Sequence, residues 1–188
     1  MGLRHILRQD PDIILVGETR DLETAEIAVR ASLTGHLVFT TLHTNDAPGA
    51  VVRLIDMGVE PYLLASCLRG VLAQRLVRKL CVGCRRQAVL PDSELKGLGS
   101  IAERVRGNKV WTPAGCPACL EGFRGRLGLF ELMVLDREMQ ERVTQGHAGA
   151  DGLRELAERN GMANLLADGV AKILSGTTSV AEVISVAA

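Results

Sequence analysis

Four of the five cysteines fall in two C-x-x-C pairs, Cys81-Val82-Gly83-Cys84 and Cys116-Pro117-Ala118-Cys119. Each pair puts two thiolates on one short turn, and Gly83 and Pro117 favour the tight knuckle in which backbone N–H groups point at sulfur. Two knuckles complete a tetrahedral four-sulfur site. Zinc fits it best, and because four protein ligands leave no position for water or substrate, the metal is structural. In a reducing compartment such pairs read as metal ligands before disulfides. The 31 residues between Cys84 and Cys116 exceed the roughly 15–20 of common zinc ribbons, so unmetallated or redox cysteines and an iron–sulfur centre stay open. Cys67, left over in an apolar stretch, reads as a small buried hydrophobe.

Glu18 and His43 form the second candidate site. Glu18 follows the run Ile13-Ile14-Leu15-Val16-Gly17, and His43 lies in Thr40-Thr41-Leu42-His43-Thr44-Asn45-Asp46. Each sits beyond the carboxyl end of an expected parallel strand, where open α/β sheets place ligand sites. A carboxylate there can hold a hydrated magnesium or orient a water, and a neutral histidine can contact a terminal phosphate. The plain alternatives are a solvated strand end for Glu18 and a helix-capping turn that carries His43 along. His36 opens the same strand at its other end and reads as structural. Arg20 and Arg75 are candidates for phosphate or intersubunit contacts, because a guanidinium gives planar, multi-donor recognition. Arg4, Arg8, Arg53, Arg69 and Arg78 fit exposed helix faces equally well.

The elements that must position these residues are legible in part. Ile13–Val16, an unbroken apolar run, fits a central parallel strand buried on both faces. Asp21 caps a helix through about Leu33, stopped at Gly35, and Leu37-Val38-Phe39 begins the next strand, which makes a βαβ unit. Asp46 and Pro48 open a helix to Met57, stopped by Gly58, and Glu60-Pro61 opens a longer one through about Leu80. From Cys81 to about Gly128 a small loop-rich module is expected. From Glu131 the pattern is helical in short pieces, about 136–145, 151–160 and 162–174. A last helix is opened by Ser179 and Glu182 at capping-box spacing. These boundaries divide the chain into 1–80, 81–128 and 129–188.

The charge balance supports the same division. The whole chain carries 22 basic and 22 acidic residues and 47% apolar ones, too apolar for disorder. Residues 1–80 are neutral, 81–130 carry +4 and 131–188 carry −4. Zero net charge and only 5 aromatic residues (Phe 3, Trp 1, Tyr 1) argue against a nucleic-acid partner. There is no apolar run of about 18 residues and no signal-peptide core in Met1-Gly2-Leu3-Arg4-His5, so a cytosolic protein is expected.

Taken together, the motifs resemble the secretion ATPase superfamily, the motors of type II secretion and type IV pilus assembly. The resemblance runs from Arg8-Gln9-Asp10-Pro11-Asp12 and Ile13–Asp21 through Thr34–Asp46, Met57-Gly58-Val59-Glu60-Pro61 and Leu72-Ala73-Gln74-Arg75-Leu76-Val77-Arg78. It continues through both cysteine pairs to Gly122–Gly128. The chain looks most like the type II secretion ATPase, with the pilus extension ATPase second. The resemblance implies a partial RecA-like core at 1–80, a tetracysteine zinc module at 81–128 and a helical subdomain at 129–188. It makes Glu18 the Walker B acid near magnesium and the γ-phosphate, and His43 the histidine that senses that phosphate. His36, the first histidine of the same His box, joins Arg20 and Arg75 as a candidate for nucleotide or intersubunit contacts. It further implies ATP, Mg2+ and Zn2+ as cofactors, a homohexamer, platform proteins of the inner membrane as partners, and a location on that membrane's cytoplasmic face. Thr19 stands where the family usually has a bulky apolar residue.

One motif is missing. The chain contains no G-x-x-x-x-G-K-[ST], and Gly107-Asn108-Lys109-Val110 lacks both the first glycine and the hydroxyl. The family's P-loop, Asp box and N-terminal domains are therefore expected upstream, and these 188 residues are expected to hold half of an ATP site and hydrolyse nothing alone. Other readings are a non-catalytic zinc-stabilised scaffold or adaptor and a zinc-ribbon nucleic-acid binder using the +4 segment. A metal hydrolase built from His36, His43, Glu18 and Asp46 fails because its two histidines fall at opposite ends of one strand.

Overall fold

The parallel pair on which Glu18 and His43 depend forms as its sequence suggests. A computed structural model describes residues 11–146 and 149–187; Arg4, Arg8 and the stretch Arg8–Asp10 lie outside the described residues. Strand β1 (Ile13–Val16) pairs in parallel with β2 (Leu37–Thr40), in register from Ile13↔Leu37 to Val16↔Thr40. Between them runs α1 (Leu22–Leu33). The Asp21 carboxylate accepts from the Thr24 N–H at 2.8 Å, and Gly35 ends the helix at φ 103°, a conformation that costs glycine nothing.

Burial of β1 differs from expectation. Ile14 and Val16 pack with Ala31 and Val38, but the alternate residues Ile13 and Leu15 are 61% and 75% exposed, as is Phe39 at 53%. Successive side chains point to opposite faces of a strand, so only one face of this pair is buried among the described residues.

Helix α2 (Ala47–Asp56) is capped by Asp46, which accepts from the Gly49 N–H at 2.7 Å. Helix α3 (Pro61–Cys67) is short. The long helix expected to reach Leu80 is not formed: the chain leaves α3 at Cys67 and becomes strand β3 (Gly70–Leu80). Val71, Ala73, Arg75 and Val77 point inward while Leu72, Gln74 and Leu76 are exposed, a period of two rather than 3.6. The partner of β3 is β6 (Phe123–Val134), distant in sequence.

Between these strands, β4 (Arg86–Val89) and β5 (Lys109–Thr112) form an antiparallel pair, Arg86↔Thr112 to Val89↔Lys109. They enclose α4 (Asp92–Leu95) and a 3-10 stretch, Lys96–Arg104, bent at Gly99. The stretch expected to be loop-rich thus carries a ribbon and short helices, and β6 runs on to Val134 before helices resume. These are α5 (Arg137–Thr144), α6 (Ala150–Arg159), α7 (Leu165–Leu174) and α8 (Val180–Ala187). No helix among the described residues is long and apolar enough to cross a membrane.

The described residues fall into two compact units, each drawn from two stretches of chain. One comprises the residues up to Leu72 with Leu132–Met162; the other comprises Ala73–Glu131 with the residues from Ala163. The first buries Val51, Leu64, Met133, Met139, Val143 and Leu153. The second has a core that includes Val77, Leu98, Val110, Leu129, Val170, Ile173 and Val183. Glu131, 1% exposed, accepts from the Leu165 N–H at 3.3 Å, so a buried carboxylate meets the positive end of α7.

Candidate functional site

The parallel register brings Glu18 and His43 together. Glu18 follows β1 through Gly17, and His43 follows β2 by a slightly longer extension. His43 Nε2 lies 2.6 Å from Glu18 Oε1, and Arg20 Nη2 lies 2.5 Å from Glu18 Oε2. Glu18 Oε1 is buried and has no aligned hydrogen-bond donor, so its approach to His43 is a close contact rather than a formed hydrogen bond. The Arg20 guanidinium holds the Glu18 carboxyl below the usual range; loss of water opposes this, and His43 in its charged form adds to the lowering. The pairing raises Arg20 in turn.

The floor of this site is a set of threonine contacts. Thr19 is buried; its Oγ1 lies 2.8 Å from Thr40 Oγ1, and its N–H donates to the Thr41 carbonyl at 3.0 Å. Thr41 Oγ1 donates to the Gly17 carbonyl at 2.6 Å. The Thr19 N–H therefore extends the strand pairing past the end of the sheet, and Thr41 fixes the backbone on either side of Glu18. Its buried hydroxyl is satisfied by Thr40, which explains how a polar residue is tolerated there. No periodicity in the sequence pointed to this pairing.

The other candidates lie elsewhere. His36 Nδ1 lies 2.9 Å from the Ala31 carbonyl and 3.0 Å from Thr34 Oγ1, at the end of β2 opposite His43. Arg75 is on β3, in the second unit. Asp46 caps α2 and receives Arg154 Nη2 at 2.7 Å, which ties the turn after His43 to α6. Cys67 is half-buried at the end of α3, and burial pushes its thiol up.

The four paired cysteines converge. Their sulfurs all lie within 4.8 Å of one another, with Cys84 Sγ 3.7 Å from Cys119 Sγ and Cys116 Sγ 3.5 Å from Cys119 Sγ. These separations are far too long for a disulfide. They match the edge of about 3.8 Å that zinc–sulfur bonds of about 2.3 Å impose on a tetrahedron. Each knuckle is closed by its backbone: the Cys84 and Arg85 N–H groups donate to the Cys81 carbonyl, and the Cys119 N–H donates to that of Cys116. The thiols perturb one another. Burial and the Cys119 thiol push Cys84 up to about 11. At Cys119 burial works upward too, but the Cys116 and Cys84 thiols and the Cys116 and Gly122 backbone bring it down to about 7. The donor set, count and spacing fit a structural zinc ion.

Comparison with known proteins identifies the family of the chain. The family model described as Type II/IV secretion system protein matches residues 1–185. The chain is 53% identical over 187 residues to the type II secretion system protein HxcR of Pseudomonas aeruginosa, covering 99% of this chain and 36% of that protein. It is 50% identical to type II secretion system protein E of Aeromonas hydrophila, covering 98% of this chain and 36% of that one. It is 47% identical to the type IV pilus assembly ATPase PilB of Thermus thermophilus, covering 98% of this chain and 21% of that one. The chain thus spans about a third or less of the length of these relatives. Among solved structures it resembles the pilus retraction motor PilT with bound ADP, with a TM-score of 0.64 and 26% identity, covering 98% of this chain and 42% of that one. It also shares the fold of the Legionella pneumophila ATPase DotB, with a TM-score of 0.64 and 24% identity, covering 97% of this chain and 40% of that one.

Proposed function

The chain belongs to the type II/IV secretion system protein family, and from that premise we propose that it supplies part of the ATP-driven motor of type II secretion. In this reading residues 1–80 are part of a RecA-like core, 81–128 the zinc module and 129–188 a helical subdomain. The carrying observation is the meeting of Glu18 and His43 beyond the ends of adjacent parallel strands.

Glu18 stays ionised beside Arg20 and presents a buried oxygen without an aligned donor, which suits a carboxylate that holds the water shell of magnesium. A bound magnesium nucleotide would supply a cation that competes for Glu18 and phosphate oxygens that compete for His43. Glu18 would then turn toward the cation and His43 toward the terminal phosphate, so the loss of that phosphate would let them rejoin. Their strands would carry the difference into the fold. Arg20, Arg75 and His36 are assigned nucleotide or intersubunit contacts. Cys81, Cys84, Cys116 and Cys119 would hold zinc as a structural ion. The complete motor is proposed to be a homohexamer on the cytoplasmic face of the inner membrane, acting on platform proteins there, with no nucleic-acid partner. Without a phosphate-binding loop among its 188 residues, the chain by itself would not turn over ATP.

The 47% identity to a pilus assembly ATPase favours pilus extension as the second reading. Replacing the matching segment of HxcR with this chain separates the two. Restored type II secretion in a strain lacking HxcR supports the proposal. A stable chimera that restores no secretion, while the equivalent chimera of the Thermus pilus ATPase restores pili, contradicts it in favour of pilus extension.

A further inference from the structure

Two arginines bracket the first cysteine knuckle and reach away from it. Arg78 precedes Cys81 on β3, and Arg85 directly follows Cys84. Arg78 donates from Nε and Nη2 to Glu182 Oε1 at 3.0 and 2.8 Å, and its backbone N–H donates to Glu182 Oε2 at 2.8 Å. Its Nη1 donates to Glu121 Oε2 at 3.1 Å, and the guanidinium lies 4.1 Å from the centroid of the Phe123 ring. Glu121 and Phe123 form the exit of the second knuckle, where Glu121 takes a left-handed φ of 50°. One planar fork therefore grips the second knuckle and α8 at once.

Arg85 makes the matching contact on the other side. Its guanidinium lies 4.3 Å from the Trp111 ring centroid and donates to the Gly176 carbonyl. Gly176 sits so close to that ring that a Cβ would come within 2.2 Å of Trp111 Cδ1, so no larger residue fits. The backbone completes the connection. The Leu80 N–H donates to the Thr177 carbonyl at 2.9 Å, the Cys81 N–H to the Gly122 carbonyl at 2.8 Å, and Thr178 Oγ1 to the Arg78 carbonyl at 2.8 Å. The entry to the first knuckle thus meets the second knuckle through one residue and the segment before α8 through the preceding one.

We infer that Arg78 and Arg85 are positioning residues through which metal binding at Cys81, Cys84, Cys116 and Cys119 orders residues 176–187. The inference rests on the reading that these cysteines hold a metal and goes beyond the nucleotide site. Two guanidinium nitrogens converging on one carboxylate oxygen, as Arg78 Nε and Nη2 do on Glu182 Oε1, make a contact sensitive to angle and distance. With the four thiolates bonded to one ion, Glu121, Gly122 and the residues flanking Cys81 and Cys84 are fixed, and Arg78 and Arg85 can satisfy all their partners together. Without the ion the knuckles separate, the forks lose their common geometry, and Glu182, whose side chain is only 13% exposed, loses the cation that compensates its burial. Helix α8 then becomes a metal-dependent element.

The test is hydrogen exchange of residues 176–187 in the 188-residue chain, zinc-loaded and chelated, with zinc content measured for the wild type and for the paired Arg78→Met and Arg85→Met variant. Both are expected to bind zinc. Chelation should speed exchange over 176–187 about tenfold or more in the wild type, and less than about twofold in the variant. If the paired variant does not fold, Glu182→Gln, which leaves both knuckles intact, is read in the same way. Equal zinc dependence in variant and wild type overturns this inference alone. A wild type that binds no zinc overturns it together with the metal reading.

Discussion

His43 Nε2 stands 2.6 Å from Glu18 Oε1, a contact set by the parallel register that places Val16 opposite Thr40. Because Thr41, just beyond the neighbouring strand, fixes the backbone on either side of Glu18, the carboxylate is held where the exposed His43 ring reaches it. The site is therefore expected to respond to changes in its floor as well as to changes in the pair.

Thr40→Val keeps the shape of the side chain and leaves the buried Thr19 hydroxyl without its partner. The expected loss is about 1 kcal/mol of stability, measured by urea unfolding. The Thr19→Val, Thr40→Val pair should recover most of it, since both polar groups are then gone. A double variant less stable than the single one contradicts the role given to this hydrogen bond.

Asp46 does two things, capping α2 and receiving Arg154. Asp46→Ala should cost about 1–2 kcal/mol, and Arg154→Met about 1 kcal/mol or less because that pair is partly exposed. Equal losses in the two unfolding curves would show that the cap contributes nothing.

Zinc should be present near one ion per chain, and Cys84→Ser should lose it. With a stability loss of about 3 kcal/mol, the midpoint of thermal unfolding falls by about 6–12 °C for a chain of this size. Metal analysis and calorimetry check both. An unchanged midpoint rules out a structural ion.

Glu182 gives a pH dependence with a definite sign. Burial works to raise its pKa, but the Arg78 guanidinium and backbone N–H overcome this and hold it below its ordinary 4.5. A carboxylate depressed in the folded state contributes stability that is present above the unfolded value and is lost as the pH falls through the folded one. Wild type should therefore exceed Glu182→Gln in stability near neutral pH, and the gap should close on acidification through the lowered Glu182 pKa. A gap that widens as the pH falls would contradict the ion pair.

The elements around Glu18 and His43 were legible because their signals are local. Asp21, Gly35, Asp46 and Gly58 mark helix ends within a few residues of where they act, and the strands between them are short apolar runs. Leu80 was misplaced because Ala73, Leu76, Val77 and Leu80 also satisfy a helical period, so the segment reads either way until β6 supplies its partner. The two faces of β1 could not be separated, since Ile13-Ile14-Leu15-Val16 is apolar throughout. The cysteine cluster was suggested by its two C-x-x-C pairs, while the 31 residues between them left redox or unmetallated cysteines open. Its link to Glu182 was not suggested: that residue carries a capping-box pattern, and Ser179 does accept from the Glu182 N–H, but the Glu182 carboxylate turns to Arg78. No local rule relates positions so distant in the chain.

The proposal that matters most is that Glu18 serves as the catalytic carboxylate of an ATP site this chain holds only in part. The most direct measurement is ATP turnover by a chimera in which this chain replaces the matching segment of the Thermus thermophilus pilus assembly ATPase, compared with the same chimera carrying Glu18→Gln. The account predicts hydrolysis by the first, a loss of about a hundredfold or more in the second, and none by the 188-residue chain alone. Turnover by the chimera that is indifferent to Glu18→Gln, or turnover by the isolated chain that Glu18→Gln abolishes, would contradict it.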